Sequence, residues 1–415
     1  MRWRNYMKGF FSKLMPLDDA LEKVDNFQKI MDIEKIDIKD AHNRVLAENI
    51  YSFHDSPPFD KSAMDGYAVL AEDTFGASNN NHKHLKLIDF IGAGDFSEKT
   101  IKSGEAIRIA TGAPIPKGAN AVLMEEYTSH EGNDLDIHSQ VSPKDNISPL
   151  GEDLKKGDKI LDSNTFIRSQ ELGLIASAGF KEIKVYKKPK VKLIVTGNEL
   201  VEPSSTLDKA KIINSNKYTI SSLIQSTGAT VEVEHAHDNF EEVKSILIEN
   251  SKEFDVIITT GGTAISKGDV VVDAVEDSGE LLFHGVSIRP GKPVGSGIIN
   301  DTIVFTLSGQ PVAAMAQFDI FARKYLIQMQ GLNFDFKIVE RESLLKIPSN
   351  LGRTDFIRTY ADEKYAKHIL NRGSGIIRSM VEANSYIIID ENNEGIEKGD
   401  LVNLVFFNSM IWDKY

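Results

Sequence analysis

Between residues 191 and about 330 the chain alternates short apolar runs with amphipathic stretches. The runs cover 191–195, 230–233, 255–259 and 302–307, and helical spacing recurs over 217–225, 239–250, 270–277 and 311–329. Strands and helices that alternate in this way bury their apolar surfaces as a parallel sheet with helices on both faces. Ligands of such sheets sit beyond the carboxyl ends of the strands. The polar segments there are Thr196-Gly197-Asn198-Glu199, residues 235–239, residues 259–269 and Ser308-Gly309-Gln310-Pro311. They are expected to converge on one crevice.

The third of these exits is the most informative. Val256-Ile257-Ile258 reads as a strand buried on both faces, broken by Thr259-Thr260-Gly261-Gly262-Thr263 and followed by an amphipathic helix from Val270. Strand, glycine-hydroxyl loop and helix together aim free main-chain N–H groups at an anion. Gly261 and Gly262 would let the main chain approach a ligand without a Cβ in the way. Asp269 can either cap the helix or hold a cation beside the anion.

A length of 415 residues predicts several domains, and a 41% hydrophobic content supplies several cores. A net charge of −13 leaves no basic excess for non-specific nucleic-acid binding, though a small anion needs only a local positive pocket. There is no cysteine, which removes disulfides, thiolate zinc sites, iron–sulfur clusters and cysteine nucleophiles together and is compatible with the cytoplasm. No apolar run approaches the roughly 18 residues that span a bilayer. The basic start, with Trp3, Phe10 and Phe11, is interrupted by Ser12 and Lys13 and reads as a short extension, or an upstream start-codon choice with Met7 or Met15 as alternatives, rather than a signal peptide.

Elsewhere the pattern predicts a helix over 16–31, a short one over 38–47 and another over 169–178, with a mostly β segment over 67–141. After Gly331 short strand-like runs return at 336–339, 356–359, 387–389 and 401–407. The expected fold class is multi-domain α/β. It comprises a discontinuous mixed domain (1–55 with 146–187), a β-rich insertion (56–145), a parallel-sheet domain (188–331) and a C-terminal small β-barrel (332–415).

Glu199, Asp238 and Asp269 follow three different strands, and carboxylates brought together there suit a hard cation such as Mg²⁺ carrying phosphate oxygens. Opposite them, Arg289-Pro290-Gly291-Lys292-Pro293 is a stiffened loop whose two cations could meet an oxyanion. Ser308 lacks a histidine base, so helix capping or phosphate binding suits it better than hydrolysis. His235-Ala236-His237 beside Asp238 is a possible metal pair, but reads better as loop histidines.

Longer words carry a resemblance. Pro58-Phe59-Asp60-Lys61-Ser62-Ala63-Met64-Asp65-Gly66-Tyr67-Ala68, Ala110-Thr111-Gly112-Ala113-Pro114, Gly151-Glu152-Asp153, Thr196-Gly197-Asn198-Glu199-Leu200, Thr260-Gly261-Gly262-Thr263, Arg289-Pro290-Gly291-Lys292-Pro293 and Ser308-Gly309-Gln310-Pro311 occur in order across nearly the whole chain. In these words the sequence resembles the molybdopterin molybdenumtransferase (MoeA-type) family, which includes the gephyrin E domain. The resemblance implies Mg²⁺-dependent reaction of adenylated molybdopterin with molybdate, releasing AMP. It also implies a homodimer of four-domain subunits whose active sites are shared, and transfer of the product to molybdenum-enzyme apoproteins.

By the same resemblance Asp60, Thr111 and Asp153 belong to a wall supplied by the partner subunit. Glu199, Asp238 and Asp269 match catalytic and metal-binding carboxylates, with Asp60 a fourth catalytic candidate. Thr260, Gly261, Gly262, Thr263, Arg289, Lys292, Ser308 and Pro311 match the phosphate- or molybdate-binding segments, and Ser374 closes the site. Ser148, Gly285, Ser308 and Gln310 depart from residues common in the family, which bears on oxyanion preference. Two other functions fit the same words: a non-catalytic molybdopterin-binding or scaffold protein, and a molybdopterin adenylyltransferase.

Overall fold

The computed structural model describes residues 14–207, 210–262, 269–370 and 373–407. Thr263 and the N-terminal extension through Lys13 therefore lie outside the described residues. The chain forms two compact units. One comprises residues 35–42 and 48–183, and the other residues 1–34, 43–47 and 184–415.

The first unit is built on a six-stranded mixed sheet. Its strands are β1 (Gly66–Val69), β2 (Lys83–Ile91), β3 (Glu105–Ile109), β4 (Ala121–Met124), β5 (Thr128–Glu131) and β6 (Asp134–Ile137), in the order β4-β1-β3-β2-β6-β5. Only β2 and β3 pair in parallel. Strand alternation puts Tyr67 and Val69 into one apolar cluster with Leu85 and Leu123, and Ala68 into another with Ile107 and Val122. Both faces are thus covered, and the sheet curls into a half-barrel.

The second unit contains the alternating block. Strands β7 (Lys190–Thr196), β8 (Thr230–Ala236), β9 (Val256–Thr260), β10 (Glu280–His284), β11 (Gly295–Ile299) and β12 (Thr302–Leu307) form one sheet in the order β8-β7-β9-β12-β11-β10. The first four run parallel, and β11 and then β10 extend that sheet by antiparallel pairing, with β10 at the edge. Those two strands are additions to the sequence-based expectation: the apolar run of β10 is only Leu281-Leu282-Phe283, and that of β11 is broken by Gly295 and Gly297.

Helices α1 (Asn216–Ser226), α2 (Phe240–Asn250), α3 (Val270–Ser278) and α4 (Pro311–Gln317) follow β7, β8, β9 and β12. Ile194, Ile257 and Val304 face Val243 and Leu247 of α2 and Val271 and Val275 of α3. On the other face α1 packs on β7, β8 and α4. Beyond α4 the helix continues as a π-segment, Phe318–Arg323, and then Lys324–Gln328.

A closed five-stranded barrel follows, made of β13 (Ile338–Ser343), β14 (Thr354–Ala361), β15 (Tyr365–His368), β16 (Ser385–Ile389) and β17 (Leu401–Phe406). Its order is β14-β15-β13-β17-β16, and β16 pairs back to β14. Closure removes exposed sheet edges. Ala361, Ala366, Ile387, Val402 and Leu404 fill the interior.

Two helices are shorter than the periodicity predicts. The first spans only Leu17–Asp25, because the following main chain turns away and the Met31 N–H donates to Met329 O at 2.8 Å. Of the helix expected over 38–47 only a 3-10 turn forms, Ile38–Asp40, and Asn43 adopts a left-handed φ of 61° that no helix continues through.

The start of the helix Ser169–Ser177 is fastened by Glu171, whose carboxylate reaches back to the N-cap residue Arg168. Glu171 accepts from the Arg168 N–H at 2.9 Å and from its guanidinium Nη2 at 2.5 Å. Arg168 accordingly holds the Glu171 carboxyl below its ordinary range. The folded carboxylate binds a proton more weakly than the unfolded one, so its stabilisation is present above the unfolded value of about 4.3 and lost as pH falls through the lower folded value. Glu171→Gln should cost about 1 kcal/mol at neutral pH, with the deficit shrinking below about pH 4, as measured by urea unfolding.

Candidate functional site

Parallel pairing sets the ends of three strands level. Val195 lies opposite Thr260, and Thr260 opposite Leu307. Beyond those ends opens a cleft of about 1100 Å³. Glu199, Asp238 and Asp269 line it together with Lys292, whose side chain is exposed there. Thr260, Gly261, Gly262, Ser308, Pro311 and Ser374 line it as well.

The exits are laced to one another. The Asn198 N–H donates to Asp238 Oδ2 at 3.3 Å, and the Asp238 N–H returns a bond to Asn198 Oδ1 at 3.4 Å. This reciprocal clasp joins the β7 and β8 loops and holds Asp238 at the rim. His235 Nε2 donates to Gly197 O at 3.1 Å, and His237 Nδ1 lies 3.2 Å from Glu242 Oε1. Both histidines are therefore loop-fastening groups rather than a metal pair. The His237 N–H, assisted by its ring, holds the Glu242 carboxyl below its ordinary range.

The glycines at the β9 exit serve a purpose the sequence does not show. Gly261 has φ 97°, and a Cβ there would stand 2.3 Å from Thr196 O. The close approach is to the neighbouring strand's carbonyl, so glycine is required by the sheet itself before any ligand arrives. Asp269 takes the capping option, its Oδ1 accepting from the Val272 N–H at 3.2 Å. It is only 3% exposed, and its Oδ2 lies 3.8 Å from His284 Nε2. Burial pushes the His284 imidazole below its ordinary pKa.

Ser308 does not cap α4. The N-cap is Gln310, followed by Pro311 at the first helical position, while Ser308 Oγ accepts from the Gln310 N–H at 3.3 Å. Ser374 Oγ donates to Gln310 Oε1, and its carbonyl accepts from the Val312 N–H at 3.0 Å. Asn216, buried at the start of α1, donates to Gly309 O at 3.0 Å. Asn198, Asn216 and Gln310 are thus site-shaping residues whose bonds the sequence pattern does not show. Asn198 and Gln310 stood within motifs already singled out, which was the available signal; Asn216 had none.

Arg289 is not among the residues lining this cleft. Its guanidinium pairs with Asp355, and it lines a separate pocket of about 100 Å³ with Arg358 and His368. The reason lies in the backbone: Ile288–Arg289 adds as a short parallel strand to β14, which turns the arginine toward the barrel while Gly291 and Lys292 continue to the cleft.

Asp60, Thr111 and Asp153 belong to the other compact unit. Asp60 Oδ1 accepts from the Leu150 N–H at 2.7 Å, and the Thr111 N–H donates to Asp65 Oδ1 at 2.8 Å, holding that carboxyl below its ordinary range. Thr111 lines a pocket of about 340 Å³ with Lys61, Ser148 and Glu152; Asp60 and Asp153 are not among its lining residues.

Among the described residues no three histidine, aspartate or glutamate side chains stand close enough to cage a metal ion. The oxygen donors of the cleft fit Mg²⁺ in kind, since that ion takes one or two carboxylates and completes its shell with water and substrate phosphates. No helix among the described residues is long and apolar enough to cross a membrane.

Three family models tile the chain: the MoeA N-terminal region (domain I and II) over residues 15–179, a probable molybdopterin binding domain over 192–328, and the MoeA C-terminal region (domain IV) over 342–407. A Methanocaldococcus jannaschii protein named for molybdopterin biosynthesis is 40% identical, covering 94% of this chain and 98% of its own. A molybdopterin molybdenumtransferase of Bacillus subtilis is 34% identical over 94% of both chains. The crystal structure of a molybdopterin biosynthesis MoeA protein from Pyrococcus horikoshii superposes with a TM-score of 0.80 at 35% identity, covering 95% of this chain and 100% of that one.

The capping geometry separates two substitutions of one residue. Asp269→Ala should lower the unfolding free energy by about 1–2 kcal/mol, whereas Asp269→Asn keeps an oxygen for the Val272 N–H and should stay within about 0.5 kcal/mol of the parent. Urea titration of both variants measures the difference.

Proposed function

The chain belongs to the MoeA family, an enzyme family of molybdenum-cofactor biosynthesis, and we propose that it performs the insertion step. In that step adenylated molybdopterin and molybdate react, AMP leaves, and molybdenum remains on the dithiolene. The observation that carries the reading is the composition of one cleft, where Lys292 stands among Glu199, Asp238 and Asp269 at level strand ends. Two anions, a pyrophosphate and an oxyanion, need a cationic donor and oriented dipoles at the reacting centre.

Lys292 presents the oxyanion, while Arg289, paired with Asp355, supports the loop from behind. Asp238 and Asp269 are the proposed holders of Mg²⁺, and Glu199 lines the same cleft. Bound there, the ion would neutralise charge on the departing AMP phosphate. Asp269 is suited to a fixed role because its Oδ1 is held by the Val272 N–H at the start of α3. Ser374, fastened to Gln310, closes one side of the substrate space.

Asp60, Thr111 and Asp153 form the wall donated by a second copy in a homodimer of four-domain subunits, working in the cytoplasm. The product then passes to molybdenum-enzyme apoproteins. Ser148 and Gln310, which depart from the family's usual residues, bear on the choice between molybdate and tungstate.

Purified protein incubated with adenylated molybdopterin, Mg²⁺ and molybdate should release AMP and yield metal-bound pterin. Binding without AMP release would favour a scaffold role, and ATP-dependent AMP transfer to molybdopterin would favour the adenylylation step. Asp269→Asn, folded as the parent is, should slow AMP release by roughly 10²–10³-fold, followed by chromatography of AMP. Unchanged turnover would remove Asp269 from the mechanism.

A further inference from the structure

Gln317 is the last residue of α4 and has no exposed surface. Its helical neighbours Ala313, Ala314, Ala316 and Phe318 are buried and apolar, so an amide at this position costs stability unless both its ends are satisfied. Both are. Oε1 accepts from the Ser308 N–H at 2.7 Å, and Nε2 donates to Gly291 O at 2.7 Å. The amide can sit only one way round, because a main-chain N–H must meet its oxygen and a carbonyl its nitrogen.

Neither bond stabilises the helix that carries the side chain. Each ends on the main chain of a different loop lining the cleft: Gly291 precedes Lys292, and Ser308 begins the turn that presents Gln310. Gly291 has φ 89°, and a Cβ there would fall 2.4 Å from Gln317 Nε2. Glycine and glutamine are therefore matched, one supplying the room the other occupies. The Lys292 carbonyl accepts from the Val286 N–H at 3.0 Å and the Val294 N–H at 2.9 Å, and its side chain is exposed.

We infer that Gln317 is a positioning residue: its buried amide ties the Lys292 loop to the Ser308–Gln310 turn, setting the distance across the cleft between the cation and the turn. It touches no substrate and acts through Lys292. The turnover arm of the test rests on the insertion reading, whereas the exchange arm stands without it.

Two variants of similar size separate positioning from packing. Gln317→Leu removes both bonds. Gln317→Glu keeps the acceptor for Ser308 but, when ionised, faces the Gly291 carbonyl with no proton to give. Hydrogen exchange of the full-length protein without ligand should show the amides of Gly291, Lys292 and Val294 and of 308–310 accelerating together by about tenfold in Gln317→Leu, with those of β7 and β9 unchanged. In turnover, both variants should raise KM for molybdate by about tenfold while kcat stays within about threefold. For Gln317→Glu alone that deficit should narrow as pH falls from about 8 toward 6, since burial raises the carboxyl's pKa and the protonated acid again donates to Gly291 O.

Wild-type exchange rates in either loop of Gln317→Leu would overturn the proposal. So would one pH profile shared by the two variants, or failure of both to fold, which would make Gln317 a core residue only. Absence of AMP release from the parent would count against the insertion reading, and the exchange result would still decide this one.

Discussion

Parallel strand pairing with no register slip is the constraint on which the rest depends. Because Val195, Thr260 and Leu307 lie side by side, three chains leave the sheet at one height, and their polar turns meet instead of scattering along its edge. A shift of one residue in β9 would invert its faces, bringing Ile257 out of the α2 and α3 core and disrupting both layers. The apolar burial that fixes the register therefore also fixes the cleft.

Level exits create a crowding problem that the local chemistry resolves. Gly261 passes against Thr196 O where no side chain fits, and its N–H reaches Leu307 O at 3.2 Å. Asn198 and Asp238 exchange bonds across the β7 and β8 loops, and Asn216 holds Gly309 from below. In the last three bonds a main-chain group is satisfied by a side chain from a different element. The rim is consequently a network of fixed donors and acceptors, in which Asp238 and Asp269 are oriented before any ligand binds. Preorganisation of that kind is what lets charged groups act on a transition state without reorganising.

The barrel contributes to the same unit through two contacts with opposite effects. The β14 pairing draws Arg289 away toward Asp355, whereas the segment after β15 sends Ser374 to Gln310 at the cleft. Adjacent loop positions thus have different destinations: Arg289 serves the barrel junction and Lys292 the cleft. Charge alone would have grouped them.

What the sequence determined by itself is the layered block with its helix order and the convergence of four polar exits. These follow from local periodicity, since a run such as Val256-Ile257-Ile258 can be buried only one way and strand–helix alternation permits few topologies. The family words likewise identified the chain because they stand as contiguous residues. Only the tertiary structure decided that Asp269 caps, that Ser308 does not, that Gly261 yields to Thr196, and that Arg289 turns from the cleft. It alone brought Gln317 to Gly291 and Ser308. Those outcomes depend on pairings between residues far apart in the chain, whose partners are chosen by packing and register and leave no trace in the spacing of either one.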